Sequence, residues 1–291
     1  MNYHYSLHKI HQKNICPFDP AEYSYFKFGD TSYAEKFAQE LFDGFINEYQ
    51  NLVLEQSEII LFPSPYHSIP TASNFLCSFF KKHLNHFLFQ NNRKACIEGK
   101  IHRKQTYVED YGSMNYEQRI NMIANDTYYI DKGFIEGKFC IFLDDIKITG
   151  SHEQTINKIL GQYNISGNFL FMYYAELANN EIHPNIENHY NFFSVKSTDC
   201  IITLIKQNDF RFNTRIVKYI LLMNSNDFNK VIQNLHQRLV NEFFDLAISN
   251  NYHQISDYQI NIQQLKKQLL CQLIYKKDNE KAFRHQNLLS V

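Results

Sequence analysis

Two adjacent carboxylates, Asp144 and Asp145, follow an apolar run at 139–143 and precede a short turn of small hydroxyl-bearing residues at 149–151. The apolar run predicts a strand that is buried on both faces. The turn leads into residues 153–160, whose apolar positions share one face of a helix. A helix N-terminus attracts phosphate, and carboxylates accept hydrogen bonds from sugar hydroxyls. The stretch therefore predicts a site for a phosphorylated ribose.

The same residues also allow a purely structural interpretation. Acids after a strand can form a solvated turn, and either Thr149 or Ser151 can cap the helix that follows, with Glu153 favourably placed for the helix dipole. The buried strand in front of the acids and the turn behind them favour the ribose-phosphate interpretation.

Residues 144–152, Asp-Asp-Ile-Lys-Ile-Thr-Gly-Ser-His, resemble the PRPP-binding signature of the type I phosphoribosyltransferases. The match includes the strand, both acids, Ile146 and the Thr-Gly-Ser turn. It departs at His152, where the family usually has Thr, and at Ile148, where the family often has a hydroxyl residue. Because those hydroxyls help to hold the 5′-phosphate in the family, both departures bear on phosphate binding.

The resemblance implies a role for each signature residue. The ribose hydroxyls would be held by the two catalytic acids, Asp144 and Asp145. The 5′-phosphate would be held by the turn, at Thr149, Gly150, Ser151 and His152. Mg²⁺ would bridge oxygens of pyrophosphate and ribose near the two acids and keep several waters, with no direct protein ligand expected.

Two further polar stretches are candidates for contact with pyrophosphate. In the resembled family, the loop after the first core strand contacts the pyrophosphate, and a mobile loop further along closes over PRPP. A buried strand at 59–62 runs into the first such loop here, and a basic stretch at 100–104 corresponds to the second. The candidate residues are Ser64, Tyr66, His67, Ser68, Arg103 and Lys104. A stiff connector and a solvated basic turn are the structural alternatives.

Strand and helix signals alternate from residue 31 to about 205 and predict an α/β fold with a doubly wound, mainly parallel sheet. The predicted strands are 59–62, 95–97, 128–130, 139–143, 169–174, 192–195 and 200–205. The predicted helices include 30–49 with a Ser32–Glu35 capping box, one beginning near Pro70, and 115–123 with Arg119. Ligands bind such sheets at the carboxyl ends of the strands, so the loops after 59–62 and 139–143 are expected to meet.

The chain is expected to have three segments. Residues 1–30 are predicted to form an N-terminal arm, 31–206 a phosphoribosyltransferase-like α/β domain, and 207–291 a helical extension. The extension keeps apolar residues at helical spacing and lies beyond the family resemblance. It could be a hood that encloses the substrate base, a dimerisation element or a partner-binding module.

Composition excludes several classes of protein. The chain is 44% apolar and 20% charged with a net charge of −1, so it lacks the basic field of a dedicated nucleic-acid binder. The six cysteines form no C-x-x-C pair, which indicates reduced thiols in a cytoplasmic protein. We see no signal-peptide layout, no apolar run long enough for a membrane span, and neither a GxGxxG nor a GxxxxGK motif.

The resemblance implies a phosphoribosyltransferase that binds PRPP and Mg²⁺ and transfers the 5-phosphoribosyl group to a nitrogenous base, with release of pyrophosphate. The base is not evident from the sequence, and a homodimer is one possible assembly. The alternative is a non-catalytic PRPP- or nucleotide-binding regulator, or a ComF-like protein associated with DNA uptake, on the same fold. Whether Arg103 and Lys104 face the Asp144 loop would discriminate between them.

Overall fold

The computed structural model describes residues 2–103 and 128–270. The predicted helix at 115–123 with Arg119, and the pyrophosphate candidate Lys104, lie outside the described residues. The chain divides into two compact units, 1–216 and 217–291.

A parallel sheet forms the centre of the first unit. Its strands are β1 (Asn2–Ile10), β2 (Ile59–Pro63), β3 (Ile97–Glu98), β6 (Phe139–Lys147) and β7 (Asn168–Leu177). Their order is β1-β7-β6-β2-β3, and each neighbouring pair in this sheet is parallel. Strands β2 and β6 lie side by side, and from them the chain continues outward in opposite directions, from β2 to β3 and from β6 to β7. The carboxyl ends of β2 and β6 therefore flank a crevice where a ligand of such a sheet binds.

Helices and one small ribbon complete the first unit. The helices are α1 (Pro20–Lys27), α2 (Thr31–Glu55), α3 (Ala72–Gln90), α4 (Lys132–Ile135), α5 (Ser151–Gln162), α6 (Ile186–Asn191) and α7 (Thr198–Ile205). The ribbon is an antiparallel pair, β4 (His102–Arg103) and β5 (Tyr128–Tyr129). The predicted α/β fold with a mainly parallel sheet is confirmed.

The second unit is helical. After α8 (Thr214–Leu221), which spans the division between the units, come α9 (Ser225–Asn234), α10 (Gln237–Ser249), a short 3₁₀ turn at Tyr252–Gln254 and a helix at 256–270. The apolar side chains that share one helix face are buried, among them Phe228, Val231, Ile232, Val240 and Phe243. The division lies after Ile216, whereas the sequence placed it after residue 206.

The alternation of side chains along β6 assembles a core on each face of the sheet. On one face, Phe139, Ile141 and Leu143 belong to a core with the apolar stripes of α2 and α3. On the other, Cys140 and Phe142 join the apolar face of α5. Burial of each Leu, Ile or Phe stabilises the fold by roughly 1.5–3 kcal/mol, so the strand that carries the acids is held rigidly from both sides.

The N-terminal segment is not the predicted arm. Residues 2–10 form edge strand β1, which pairs with β7 from Asn2 opposite Phe169 to Ile10 opposite Leu177. Tyr3, Tyr5 and Leu7 alternate with His4, Ser6 and His8, the pattern of a strand with one apolar and one polar side. The polar side is used at His4 and Ser6, which both hydrogen-bond to Glu176 of β7.

Two predicted strands near residue 200 are also wrong. Residues 192–195 lie outside any strand, and 200–205 belong to helix α7, where Ser197 Oγ accepts a hydrogen bond from the backbone N–H of Cys200. A short apolar run fits a buried helix as well as a strand. The predicted Ser32–Glu35 capping box of α2 is also not observed. Asp30 is the N-cap residue, and its carboxylate accepts a hydrogen bond from the backbone N–H of Ser32.

Gly29, which follows the α1 C-cap residue Phe28, is expected to tolerate no side chain. Its φ is +105°, and a Cβ there would overlap the carbonyl oxygen of Arg211. We expect Gly29→Ala to lower the free energy of unfolding by about 1–3 kcal/mol. The matched control is Gly161→Ala in α5, where no described atom would lie within 4 Å of the new Cβ, and helix propensity predicts a gain of roughly 0.5 kcal/mol. Denaturant melts compare the two, and equal values would contradict the prediction.

Candidate functional site

The acid pair lies within β6, which continues to Lys147 rather than ending at residue 143 as predicted. Because successive residues of a strand point to opposite faces of the sheet, the two side chains have different neighbours. Asp144 turns toward the loop after β2 and the start of α5, whereas Asp145 turns toward α1.

Asp144 lies at the crevice between β2 and β6. Its Oδ1 accepts hydrogen bonds from Ser64 Oγ at 2.7 Å and from the backbone N–H of Asp145 at 2.9 Å. Ser64 Oγ in turn accepts from Ser73 Oγ at 2.8 Å, which ties the carboxyl group to the first turn of α3. The other carboxyl oxygen of Asp144, Oδ2, lies 3.4 Å from His152 Nδ1. The predicted convergence of the two loops is thus observed at Ser64 and Asp144.

Burial of the carboxyl group, and then the neighbouring charge of Asp145, raise the pKa of Asp144 to about 8. The Ser64 hydrogen bond and the charge of Lys27 act in the opposite direction without overcoming that rise. These causes favour the protonated form of Asp144 in the free protein.

Asp145 is 5% exposed and has an ion pair with Lys27 and a hydrogen bond from Tyr23 Oη. Burial alone would raise the pKa of Asp145, but the Lys27 charge and the hydrogen bonds from Lys27 and Tyr23 hold it below its usual range. The sequence analysis missed both partners, because a Lys and a Tyr on a short helix carry no signal for a buried carboxylate.

The turn after β6 leaves the start of α5 open. Gly150 is the N-cap residue with φ +71° and ψ 8°, a left-handed conformation suited to glycine, and no side chain of the described residues caps the helix. Thr149 Oγ1 instead donates to Ser151 Oγ at 3.1 Å. The first backbone N–H groups of α5 are therefore available to an anion. The alternative that Thr149 or Ser151 caps the helix is not observed.

A polar cluster that the sequence analysis missed borders this turn. Lys147 Nζ contacts Glu153 Oε2 at 2.7 Å. Next to it, Glu176 bonds to His4 Nε2 at 2.9 Å and accepts from Ser6 Oγ at 2.7 Å. The hydrogen bond from His4, followed by that from Ser6, lowers the pKa of Glu176 to about 2 despite its burial. Strand pairing of β1 with β7 brings these residues together.

The pyrophosphate candidates separate into groups. An isolated backbone β-bridge between Tyr66 and His102 joins the two candidate loops. In the same region, Lys100 Nζ lies 4.2 Å from the centre of the Tyr66 ring. His67 and Ser68 hydrogen-bond to each other at 2.9 Å.

Arg103 lies close enough to the signature for its charge to act on His152. Of the pyrophosphate candidates, Ser64 is the one with a described hydrogen bond to Asp144. Whether Arg103 and Lys104 both face the Asp144 loop, the discriminating feature set out from the sequence, stays a prediction, because Lys104 lies outside the described residues.

The described residues contain neither a cluster of metal-binding side chains nor a membrane-spanning helix. Within 2–103 and 128–270, no group of three or more His, Cys, Asp or Glu side chains could hold a metal ion. In the same ranges, no helix has both the length and the apolar character needed to cross a membrane.

The fold and site together define an α/β protein with a crevice at the switch point of a parallel sheet, beside the uncapped start of α5. A family model described as PRTase ComF-like matches residues 1–265, and the chain belongs to this ComF-like phosphoribosyltransferase family. The resemblance of residues 144–152 to the phosphoribosyltransferase signature is thus confirmed at the level of the family. No curated protein matches.

Solved structures with similarity to the chain include two kinds of phosphoribosyltransferase. Adenine phosphoribosyltransferase from Saccharomyces cerevisiae, complexed with an imino-altritol bisphosphate and adenine, is 18% identical with a TM-score of 0.31, over 48% of this chain and 69% of that one. A hypoxanthine phosphoribosyltransferase from Staphylococcus aureus is 10% identical with a TM-score of 0.30, over 49% and 74%.

Proposed function

We propose that this protein binds PRPP together with Mg²⁺ and transfers the 5-phosphoribosyl group to a nitrogenous base, releasing pyrophosphate. The observation that carries the proposal is the position of Asp144, on the strand that leads directly into the uncapped start of α5. A carboxyl group for the sugar and free N–H groups for a phosphate then lie one short turn apart. Family membership supports the same assignment.

The geometry suggests how PRPP would lie. The 5′-phosphate would accept hydrogen bonds from the backbone and hydroxyls of residues 149–152 at the start of α5. The ribose hydroxyls would donate to Asp144, and the pyrophosphate would extend toward Ser64 and Arg103. Asp145 would act from behind the strand, because its carboxylate is already paired with Lys27.

Catalysis on this scheme needs positioning and charge stabilisation rather than a covalent nucleophile. When the bond between the anomeric carbon and pyrophosphate breaks, positive charge develops on the ribose. An ionised Asp144 carboxylate beside the ribose would stabilise that charge. Arg103 would stabilise the negative charge that collects on the departing pyrophosphate.

Mg²⁺ fits this site as an ion carried by the substrate. Among the described residues, no three His, Cys, Asp or Glu side chains are grouped to hold a metal ion, and Mg²⁺ commonly keeps several waters while it binds phosphate oxygens. Oxygens of PRPP and water would therefore hold the ion. When bound, it would neutralise part of the pyrophosphate charge.

A second candidate function is binding of PRPP or a nucleotide without catalysis. The observation that favours it is the Lys27–Asp145 ion pair, which removes one of the two signature acids from the crevice. His152, in place of the family's usual Thr, also favours binding without catalysis. The predicted cytoplasmic location, the homodimer and the exclusion of nucleic acid as a partner stay predictions.

Calorimetric titration with PRPP, with and without Mg²⁺, tests the proposal first. We expect Mg²⁺-dependent binding that ribose 5-phosphate or pyrophosphate alone reproduces only weakly. A pyrophosphate-release assay with a panel of purine and pyrimidine bases then separates the two candidates. Release with one base supports the transferase, binding without release from any base supports the non-catalytic protein, and absence of PRPP binding overturns both.

A further inference from the structure

His152 has an unusual position for a histidine at the start of a helix. Its side chain is 24% exposed, yet both ring nitrogens are buried without a hydrogen-bond partner. Buried polar atoms are nearly always paired in folded proteins, so an unpaired imidazole at a candidate site requires an explanation. The nearest carboxyl oxygen is Asp144 Oδ2, 3.4 Å from His152 Nδ1.

The other hydrogen bonds of Asp144 leave Oδ2 as its oxygen nearest that ring. Ser64 and the backbone N–H of Asp145 both donate to Oδ1. Of the two adjacent buried acids, Asp145 has the ion pair with Lys27. One buried cation balances one carboxylate, so the second carboxyl group, Asp144, favours its protonated form. Oδ2 accepts from neither Ser64 nor the Asp145 N–H and is the oxygen that carries the proton, with the Asp145 carboxylate as a competing hydrogen-bond partner.

We infer that a phosphorylated ribose entering the site drives transfer of a proton from Asp144 Oδ2 to His152 Nδ1. The O–H bond of the carboxyl group breaks, the N–H bond of an imidazolium forms, and no proton is exchanged with solvent. This inference rests on the proposed function, because the ligand that triggers it is the ribose phosphate of PRPP.

The charges around His152 set the direction of the transfer. On β6 and α5, Asp145 and Glu153 favour the protonated ring, whereas Arg103 on β4 opposes it. In the free protein, burial outweighs the two acids and holds the pKa of His152 at about 4. A phosphate dianion at the start of α5 adds negative charge directly beside the ring, and so favours the imidazolium.

The consequence for function is that Asp144 and His152 become charged only when the site is occupied. Transfer creates an imidazolium for the 5′-phosphate, which would take over the role of the missing Thr hydroxyl. It also creates an ionised Asp144 for the ribose hydroxyls and for the charge that develops during bond cleavage. His152 would thus act as the proton acceptor of the site.

Nitrogen NMR of the full chain with ¹⁵N-labelled histidine rings tests the transfer directly. The His152 signals, assigned by their loss in His152→Gln, should report a neutral ring in the free protein at pH 7.5 and an imidazolium once PRPP and Mg²⁺ are bound. Bound PRPP with a neutral His152 would overturn the inference and leave the proposed function standing. Absence of PRPP binding would overturn both.

Calorimetry in two buffers of different ionisation enthalpy counts the protons exchanged with solvent and serves as the second readout. The wild type should bind PRPP with no dependence on the buffer, because the proton stays inside the site. His152→Gln should release the Asp144 proton to the buffer on binding. Equal proton release by the two proteins would contradict the transfer, since His152 would then accept none.

Discussion

Asp144→Asn is expected to weaken PRPP binding roughly 10- to 100-fold. A hydrogen bond to an ionised group contributes about 1.5–3 kcal/mol, and each 1.4 kcal/mol is a tenfold change in affinity. Asparagine can still accept the Ser64 hydrogen bond, so the variant should fold, but it cannot ionise to receive the ribose hydroxyls. Calorimetric titration with PRPP and Mg²⁺ measures the change.

The matched control is Asp43→Asn on α2, where an exposed carboxylate accepts from Gln39 Nε2. That change should leave both PRPP affinity and stability within about 0.5 kcal/mol of the wild type. Unchanged affinity in Asp144→Asn, with correct folding, would remove Asp144 from the ligand site.

The same variant should change the pH dependence of stability. Because the pKa of Asp144 is raised to about 8 in the folded protein, the folded state binds more protons than the unfolded state between about pH 4 and 8. This group therefore lowers the free energy of unfolding as the pH rises through that window. Asp144→Asn lacks the effect, so denaturant melts from pH 5 to 8 should show a smaller decline than in the wild type.

Lys27→Met is expected to lower the free energy of unfolding by about 3–5 kcal/mol at pH 7, because it leaves the buried Asp145 carboxylate without its cation. Lys36→Met is the matched control. Lys36 lies on α2, is exposed, and forms an ion pair with Glu22 of α1, the helix that carries Lys27. Exposed ion pairs contribute less than about 1 kcal/mol. Denaturant melts of the two variants measure the difference, and losses of similar size would contradict the prediction.

The effect of Lys27→Met should depend on pH with a definite sign. The folded pKa of Asp145 is depressed, so its pairing contributes stability above the unfolded pKa of about 3.9, and this contribution is lost as the pH falls through the folded value. The gap between wild type and Lys27→Met should therefore narrow in acid. The double variant Lys27→Met/Asp145→Asn should recover part of the loss at pH 7, because no buried charge is left unpaired.

The centre of the site could be predicted from the sequence because its signals are local. An apolar run, two acids and a small turn before an amphipathic helix follow one another along the chain, and each has a known backbone preference. The prediction that Ser64 and Asp144 meet required only the rule that carboxyl ends of parallel strands share one edge. Strand β1 was missed although its apolar and polar residues alternate, and helix α7 was misjudged because a short apolar run fits a strand as well as a helix.

By itself, the sequence determined the α/β class, the signature strand and its turn, and the family to which they point. Only the tertiary structure decided that the two acids have different surroundings. A one-residue step along a strand reverses the direction of a side chain, so Asp144 enters the crevice while Asp145 meets Lys27 and Tyr23 of α1. Those partners are more than a hundred residues away along the chain, and only packing against the sheet brings them to the carboxylate.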